Sequence, residues 1–207
     1  MDRSHILGVI LAGGLSRRMG TDKAKLQING VSMLQRNQLL LSECGIQNIV
    51  VCRNQTGFLA DIHVNCGPMG AIHSALNYAQ KKPYIKGLMF IPIDMPLLNK
   101  DMINQLIDKE LLENNPKNML NVCTTEAKVL TQARHFQNTP LPLFLPYHSS
   151  FLPLSEAVAT SQKDRSIKAF LSLIDSESIM SLEPEKLMNT NDKAQWQHAI
   201  DTISGIQ

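Results

Sequence analysis

The feature that most constrains the fold is a short apolar run that ends at a pair of glycines. The run extends from Ile6 to Leu11, and Gly13 and Gly14 follow almost at once. An apolar run of this length is typical of a parallel strand that is covered on both faces. Two adjacent glycines after such a strand let the backbone approach a ligand closely and turn its N–H groups toward an anion. The sequence therefore predicts a buried strand followed by an anion-binding loop.

The residues after the glycines carry a dense group of positive charges. Four cations lie within nine residues, namely Arg17, Arg18, Lys23 and Lys25. The group predicts a triphosphate site in which Arg18 and Lys23 neutralise charge on a phosphorus centre and on its leaving pyrophosphate. The alternative is an ordinary turn followed by a solvated basic face, and the preceding strand together with the R-M-G-x-D-K ending favours the binding site. The loop matches neither the Walker A pattern nor G-x-G-x-x-G, which disfavours a dinucleotide-dependent oxidoreductase.

A carboxylate follows the strand predicted over Ile85 to Ile93. The segment Pro92 to Pro96 places Asp94 just past the carboxyl end of that strand, where open α/β sheets bind ligands. A carboxylate there can hold Mg²⁺, which offsets charge in phosphoryl and nucleotidyl transfer. The alternative is a turn or cap residue before Pro96. Given the glycine-rich motif, we favour metal binding.

Two further segments carry weaker signals. Small residues from Gly67 to Gly70, including Pro68, precede a predicted helix and could let a base or ribose lie against the backbone. Taken alone, this segment would be an ordinary turn. Near the end of the chain, we interpret Asp192 as a helix cap, because Asn and Asp cap helices more often than they bind metals. Asn191 stays open between the two roles.

The elements alternate between strand and helix along the first half of the chain. Strands are predicted over Ile6–Leu11, Ile46–Cys52, Ile85–Ile93 and Met119–Thr124, and helices over Ser32–Cys44, Ala71–Gln80 and Asp101–Glu113. Beyond Thr125 several prolines interrupt the pattern, and we predict an edge strand over Leu141–Leu145 and helices over Ser155–Ala159, Ser166–Ile174 and Asp192–Ile203. The alternation predicts an α/β fold, a three-layer α/β/α sandwich with a mostly parallel, Rossmann-like sheet. No interdomain linker is visible, so residues 1–207 are expected to form a single domain.

Composition narrows the classes of partner and compartment. A net charge of +2 over 207 residues argues against a dedicated duplex-binding surface. No window approaches the roughly 20 apolar residues of a membrane span. The four cysteines form no C-x-x-C pair and the six histidines do not fall at ligand spacings, so no zinc site is expected. Free thiols without an export signal indicate a cytoplasmic protein, and neither nucleic acid nor a membrane is expected as a partner.

With these motifs assembled, the chain resembles the molybdenum cofactor guanylyltransferase family, the molybdopterin-guanine-dinucleotide synthases. The family pattern L-A-G-G-x-S-x-R-M-G-x-D-K is matched in full from Leu11 to Lys23. Its G-P-L-[GA]-[GA] element is approximated by Gly67 to Ala71, and P-x-D-x-P is matched by Pro92 to Pro96. The closing N-x-N-T-P element is similar to Asn189 to Asn191, with other residues in its last two positions. The resemblance implies the glycosyltransferase-A-like fold of nucleotide-diphospho-sugar transferases.

The resemblance also implies an activity, which is transfer of GMP from GTP to the terminal phosphate of molybdenum-molybdopterin. Mg²⁺ would be required, pyrophosphate would be released, and molybdoenzyme chaperones or other cofactor-biosynthesis proteins would be further partners. The implied catalytic residues are Arg18, Lys23 and Asp94, and the implied metal ligands are Asp94 and Asn191. Residues expected at the nucleotide are Leu11, Ala12, Gly13, Gly14, Lys23, Cys52, Asn65, Gly67, Pro68 and Asp94. Cytidylyltransferase relatives typically read L-A-A-G, so Gly13 favours GTP.

The chain departs from the family pattern at two places that concern the base. The family often has Asn at the end of the second strand, where this chain has Cys52, with Asn54 two residues on. An acidic residue usually precedes the G-P-L element, whereas here only Asn65 lies close and Asp61 is more distant. Three alternatives stay open: a cytidylyltransferase for the same pterin, a sugar-phosphate nucleotidyltransferase, and a non-catalytic relative that binds GTP.

Overall fold

The fold centres on a six-stranded sheet. The computed structural model describes residues 2–13, 20–108 and 132–205. The strands of the sheet are β1 Ile6–Leu11, β4 Asn48–Cys52, β5 Gly87–Pro92, β6 Ala133–Phe136, β7 Leu143–Pro146 and β8 Ser176–Ile179. Their order is β4-β1-β5-β7-β6-β8, and only β7 runs antiparallel to its neighbours. A separate antiparallel pair consists of β2 Gln27–Ile28 and β3 Val31–Ser32.

Helices cover both faces of this sheet. They are α1 Met33–Glu43, α2 Pro68–Gln80, α3 Lys100–Ile107, α4 Phe151–Ala159, α5 Ile167–Leu171 and α6 Lys193–Ser204. Within residues 2–13, 20–108 and 132–205, short 3-10 turns lie at Arg3–His5, Lys23–Lys25 and Pro184–Leu187. The predicted mostly parallel α/β/α sandwich is confirmed. Across the described ranges, no helix has both the length and the apolar sequence that a membrane-spanning segment requires.

The first strand shows why two layers of helix are needed. All six residues of β1 are buried, and they alternate between two hydrophobic cores. Ile6 and Ile10 pack in the core formed with α1 and α3, whereas Leu7 and Val9 pack in the core formed with α2, α4 and α5. Since successive side chains of a strand point to opposite faces, a wholly apolar strand is stable only when both faces are covered.

Several predicted boundaries differ from the structure. The second strand begins at Asn48 rather than Ile46, because the Ile46 N–H instead donates to Leu41 O and closes the end of α1. The helix expected from Ala71 begins at Pro68, since proline suits the first turn of a helix. The helix expected over Asp101–Glu113 runs from Lys100 to Ile107, and the one expected over Ser166–Ile174 is Ile167–Leu171. The strand predicted over Met119–Thr124 lies outside the described residues.

The strand predicted over Leu141–Leu145 is present as Leu143–Pro146, but its predicted position at the edge of the sheet is wrong. The strand β7 lies inside the sheet, between β5 and β6, and all four of its residues are buried. Proline is accommodated because Pro142 precedes the strand and Pro146 is its last residue, so the intervening N–H groups stay available to the ladder. Tyr147 then continues the pairing by donating its N–H to Lys86 O at 2.9 Å.

Gly70 in the first turn of α2 is required by packing. A Cβ at this position would lie 2.7 Å from the carbonyl oxygen of His63. We expect Gly70→Ala to be destabilising, because overpacking costs about 1–3 kcal/mol and exceeds the helix-propensity gain of up to about 1 kcal/mol. Urea unfolding measures the effect as a lower midpoint.

The control for this change is Gly13→Ala, where the nearest atom to an added Cβ is Cys52 O at 3.9 Å. This variant should unfold at no lower urea concentration than the wild type, because the contact of the added methyl group with Cys52 O is an ordinary van der Waals contact. An unchanged midpoint for Gly70→Ala would show that the backbone at His63 can move away from α2.

Candidate functional site

The candidate site lies at the carboxyl ends of the central parallel strands. Backbone pairing continues just past these ends, since the Ala12 N–H donates to Cys52 O and the Ile93 N–H donates to Leu11 O, each at 3.1 Å. The segments that follow β1 and β5 therefore leave the sheet side by side. Leu11 and Ala12 are buried there, and Gly13 is exposed at the rim.

Lys23 is positioned by its neighbour Asp22. The Asp22 carboxylate accepts the Ala24 N–H at 3.1 Å and so caps the 3-10 turn Lys23–Lys25. It also pairs with the Arg53 guanidinium, which follows β4 directly. The hydrogen bond from Arg53 lowers the pKa of Asp22, so the carboxylate is charged and holds the turn near neutral pH. The turn that carries Lys23 is thus fixed to the end of β4.

Two side chains from distant parts of the chain converge on Lys23. Its Nζ lies 3.0 Å from Asp94 Oδ2 and 3.0 Å from Asn191 Oδ1. The backbone of Asp94 is held as well, because its carbonyl oxygen accepts the N–H of Thr190 at 2.8 Å and the Thr190 hydroxyl at 3.1 Å. The side chains of Lys23 and Asp94 are only 13% and 23% exposed, so the ion pair is partly shielded from water.

Asn191 is presented to Lys23 by the start of α6. Asp192 accepts the Gln195 N–H at 2.9 Å, which confirms its predicted role as a helix cap. The Gln195 side chain reaches back to accept the Asn191 N–H at 2.7 Å. These two bonds fix the backbone on either side of Asn191 and leave its amide oxygen to face Lys23.

This arrangement suits a divalent cation that prefers oxygen ligands. The carboxylate oxygen of Asp94 and the amide oxygen of Asn191 both lie 3.0 Å from one positively charged atom, the Lys23 Nζ. Carboxylate and amide oxygens are the donors that Mg²⁺ accepts in proteins. The two predicted metal ligands are therefore brought together by the fold, although 97 residues separate them along the sequence.

Cys52, one of the residues predicted to lie at the nucleotide, does not face the site. Cys52 is buried, its Sγ donates to Ala71 O at 3.7 Å, and burial raises the pKa of its thiol to about 12. Its side chain therefore packs against α2 in the core instead of facing the sheet edge. Beyond it, Asn54 donates its amide to Asp61 at 3.0 Å and accepts the Asp61 N–H at 2.7 Å.

Asp61 supplies an acidic group close to the start of α2. Its Cγ lies 3.5 Å from the position of a Cβ on Gly70, so the carboxyl sits beside the first turn of the helix. Burial raises the pKa of Asp61, although the Asn54 hydrogen bond opposes the shift. The fold thus places a carboxyl group beside the start of α2, through a loop that folds back onto the helix.

Asn65, Gly67 and Pro68 form an exposed turn into α2. Asn65 and Gly67 have φ values of 62° and 59°, a region that favours glycine and asparagine. No hydrogen bond within the described ranges joins these three residues to Lys23 or Asp94, so the structure leaves them as a separate part of the site. Two more predicted site residues, Gly14 and Arg18, lie outside the described residues.

The fold and the sequence match together define the class. The sheet is mostly parallel, Gly13 follows β1 and Asp94 follows β5, and the sequence matches place the chain among the nucleotidyltransferases. The family described as "MobA-like NTP transferase domain" has a sequence model that matches residues 8–177. The chain belongs to this family.

Individual relatives agree with this assignment. The molybdenum cofactor guanylyltransferase of Xanthomonas euvesicatoria pv. vesicatoria is 29% identical over 202 residues, which covers 93% of each chain. The crystal structure of molybdopterin-guanine dinucleotide biosynthesis protein A from Archaeoglobus fulgidus matches with a TM-score of 0.67 at 16% identity, covering 96% of this chain and 99% of that one.

A third relative shows how widely the fold is shared. The 4-diphosphocytidyl-2C-methyl-D-erythritol synthase of Anaerococcus prevotii matches with a TM-score of 0.64 at 10% identity, covering 98% of this chain and 100% of that one. Its name contains cytidine, whereas that of the Archaeoglobus protein contains guanine. The shared fold therefore does not determine the base.

Proposed function

We propose that the protein transfers GMP from GTP to the terminal phosphate of molybdenum-molybdopterin, giving the molybdopterin guanine dinucleotide cofactor and pyrophosphate. The observation that carries the proposal is the convergence of Lys23, Asp94 and Asn191 at the sheet edge. The name of the Xanthomonas relative, which aligns over nearly the whole chain, supports the choice of substrates.

The chain supplies binding and charge to this reaction, and no protein nucleophile is required. The acceptor phosphate attacks the α-phosphorus in line, a new P–O bond forms, and the bond to the pyrophosphate leaving group breaks. Asp94 and Asn191 would hold Mg²⁺, which supplies charge neutralisation at the phosphates. Leu11, Ala12 and Gly13 would line the nucleotide.

Lys23 has an N–H donor to offer the triphosphate even before Mg²⁺ takes the oxygens of Asp94 and Asn191. An ammonium group has three N–H donors, and two of them are directed to Asp94 and Asn191. The third is then available for a phosphate oxygen. We propose that Arg18 and Gly14 complete the phosphate site, as the motif predicts.

Base selection is proposed to depend on Gly13, with Asn54 and Asp61 as further candidates beside α2. Gly13→Ala should lower the ratio of GTP to CTP turnover by roughly tenfold or more, the effect of one methyl group in a selective pocket. An added Cβ meets its nearest atom only at 3.9 Å, so the variant should fold normally. Parallel rate measurements with both nucleotides, at equal concentrations, give the ratio. An unchanged ratio would remove Gly13 from base selection.

The decisive experiment is incubation of the protein with Mg²⁺, GTP and molybdenum-loaded molybdopterin, followed by mass analysis for the dinucleotide. Product formed from CTP, or from a sugar phosphate and UTP, would instead identify the protein as one of the related nucleotidyltransferases. The observation that favours these alternatives is the burial of Cys52 away from the site. Binding of GTP without pyrophosphate release, with the authentic acceptor present, would identify a non-catalytic relative.

Two secondary proposals concern the setting of the protein. Cys44, Cys52 and Cys66 are free and buried, which supports a reducing compartment such as the cytoplasm. Molybdoenzyme chaperones or other cofactor-biosynthesis proteins are proposed as recipients of the product, since a completed cofactor must be passed to its enzymes. That residues 1–207 form a single domain remains a prediction.

A further inference from the structure

A second group of metal-binding side chains lies away from the Lys23 site, on the face of the sheet that α2 covers. His63 lies in the loop between β4 and α2, His73 in α2, and Glu156 in α4. One ring nitrogen of each histidine and one carboxylate oxygen of Glu156 all lie within 4.8 Å of one another. Three potential ligands from three separate elements therefore converge on one point.

The individual contacts show how close this convergence is. The Nε2 atom of His63 is 3.4 Å from Glu156 Oε1. The rings of His63 and His73 have centroids 5.1 Å apart and are tilted by 39°, so they are not stacked face to face. Tilted imidazoles at this separation can direct one nitrogen each toward a shared ion.

The tautomer of His73 is set by a neighbour on α4. Ser155 donates its hydroxyl proton to Leu152 O at 2.8 Å, and its oxygen lies 3.0 Å from His73 Nδ1. Because that proton is already used, the hydroxyl accepts a hydrogen bond from Nδ1–H. The lone pair of His73 is then on Nε2. Metal-binding histidines are held in the same way, with one nitrogen donating to the protein and the other free for the metal.

His63 contributes an unsatisfied nitrogen. Its Nε2 atom is buried, and within the described part of the chain it makes no hydrogen bond of acceptable geometry. Its neighbour is the Glu156 carboxylate at 3.4 Å, a contact that lacks hydrogen-bond geometry. A buried polar atom without a well-formed hydrogen bond is unfavourable, and an ion or water at the centre of the group would satisfy it. The missing hydrogen bond therefore also points to a ligand between the three side chains.

We propose that His63, His73 and Glu156 bind a transition-metal ion, with Zn²⁺ as the reference ion. Two imidazoles and one carboxylate, with a fourth position open to water, form a known zinc ligand set. Imidazole donors favour such ions over Mg²⁺, which suits the oxygen ligands at Asp94. The two sites would therefore take different cations, and this proposal does not depend on the proposed function.

The ion would add a shared ligand to three elements that already meet through the His63–Glu156 and His73–Ser155 contacts. It would tie the loop that carries Asn54, Asp61 and Asn65 to α2 and α4. Sequence spacing could not reveal this site, because His63 and His73 are ten residues apart and Glu156 is 83 residues further on. The expectation of no zinc site rested on local ligand spacing and did not include ligands brought together by the fold.

The test uses the full chain, freed of metal with a chelator and then titrated with Zn²⁺ by calorimetry. We expect one ion per chain, and we expect His63→Gln and Glu156→Gln each to weaken binding at least about tenfold. His198→Gln is the matched control, since His198 is exposed on α6 and lies outside the group. Titration with Co²⁺, followed by its visible absorption, reports imidazole coordination directly.

The variants are chosen so that loss of binding cannot be attributed to unfolding. The Glu156 side chain is 56% exposed, and Nε2 of His63 has no hydrogen bond to lose. Circular dichroism should therefore be unchanged in both variants. Asp94→Asn should bind Zn²⁺ like the wild type, whether or not it transfers nucleotides. Absence of stoichiometric Zn²⁺ binding by the wild type, or equal affinity in His63→Gln and Glu156→Gln, would overturn the proposal.

Discussion

Asp94→Asn should lower the rate of pyrophosphate release by at least about a hundredfold, while GTP binding weakens much less. The substitution keeps the size of the side chain and removes its charge. The contacts that hold this segment in place, from Thr190 to the backbone carbonyl of Asp94, do not involve the side chain and should persist. The variant therefore separates loss of metal binding from loss of structure.

The measurement is steady-state pyrophosphate release at saturating Mg²⁺, with GTP affinity determined separately by calorimetry. Asp101→Asn is the matched control, because Asp101 is an exposed acidic residue in the first turn of α3. It should keep the wild-type rate within about twofold, since losing a charge at a helix N-terminus costs only about 0.3–1 kcal/mol of stability. Normal turnover by Asp94→Asn would refute the assignment of this carboxylate to the metal.

Lys23→Met should reduce both the affinity for GTP and the rate of pyrophosphate release. We expect the rate to fall roughly a hundredfold, which is the usual effect of removing a preorganised charge from a transition state. The methionine keeps the apolar stem and removes the ammonium group. Its loss leaves Asp94 and Asn191 without their shared donor, and it removes the third N–H that is available to phosphate. The same two assays give the rate and the affinity.

Lys25→Met provides the comparison that distinguishes position from general charge. Lys25 belongs to the same 3-10 turn and the same basic cluster, but its side chain is exposed. An exposed charge is screened by salt, so this change should lower the rate by less than about threefold. Equal losses in the two variants would mean that the basic segment acts only through its overall field, and that the contact between Lys23 and Asp94 has no special role.

The parts of the fold that could be predicted are those with long apolar periodicity. The strand Ile6–Leu11 was predicted with its observed bounds, because six consecutive buried residues give an unambiguous signal. The strand β6 was missed because its sequence contains a buried arginine, Arg134. That residue is compatible with the sheet because Glu177 lies opposite it on β8, with Arg134 Nε 3.3 Å from the carboxylate. A partner 43 residues further along cannot be inferred from local hydropathy.

The candidate site shows the same division between local and distant information. Asp94 could be placed from its position after a strand, and Lys23 from the motif that contains it. The placement of Asn54 and Asp61 beside α2 could not be predicted, because it depends on how the loop after β4 folds back onto the helix. The resemblance implies that Cys52 lies at the nucleotide, in the place where the family often has Asn, but the side-chain direction at that position places the thiol in the core.

The contact between Lys23 and Asn191 determines when, during synthesis of the chain, the site can be completed. The two residues are 168 positions apart, so the glycine-rich loop and the central parallel strands leave the ribosome long before Asn191 does. A nascent chain with every strand of the sheet already formed still has Asp94 but lacks Asn191, so it holds only one of the two proposed metal ligands. The hydrogen bonds from Thr190 to the Asp94 carbonyl then hold the segment before α6 in place, and this positions Asn191. Nucleotide chemistry would therefore begin only after the last helix has docked.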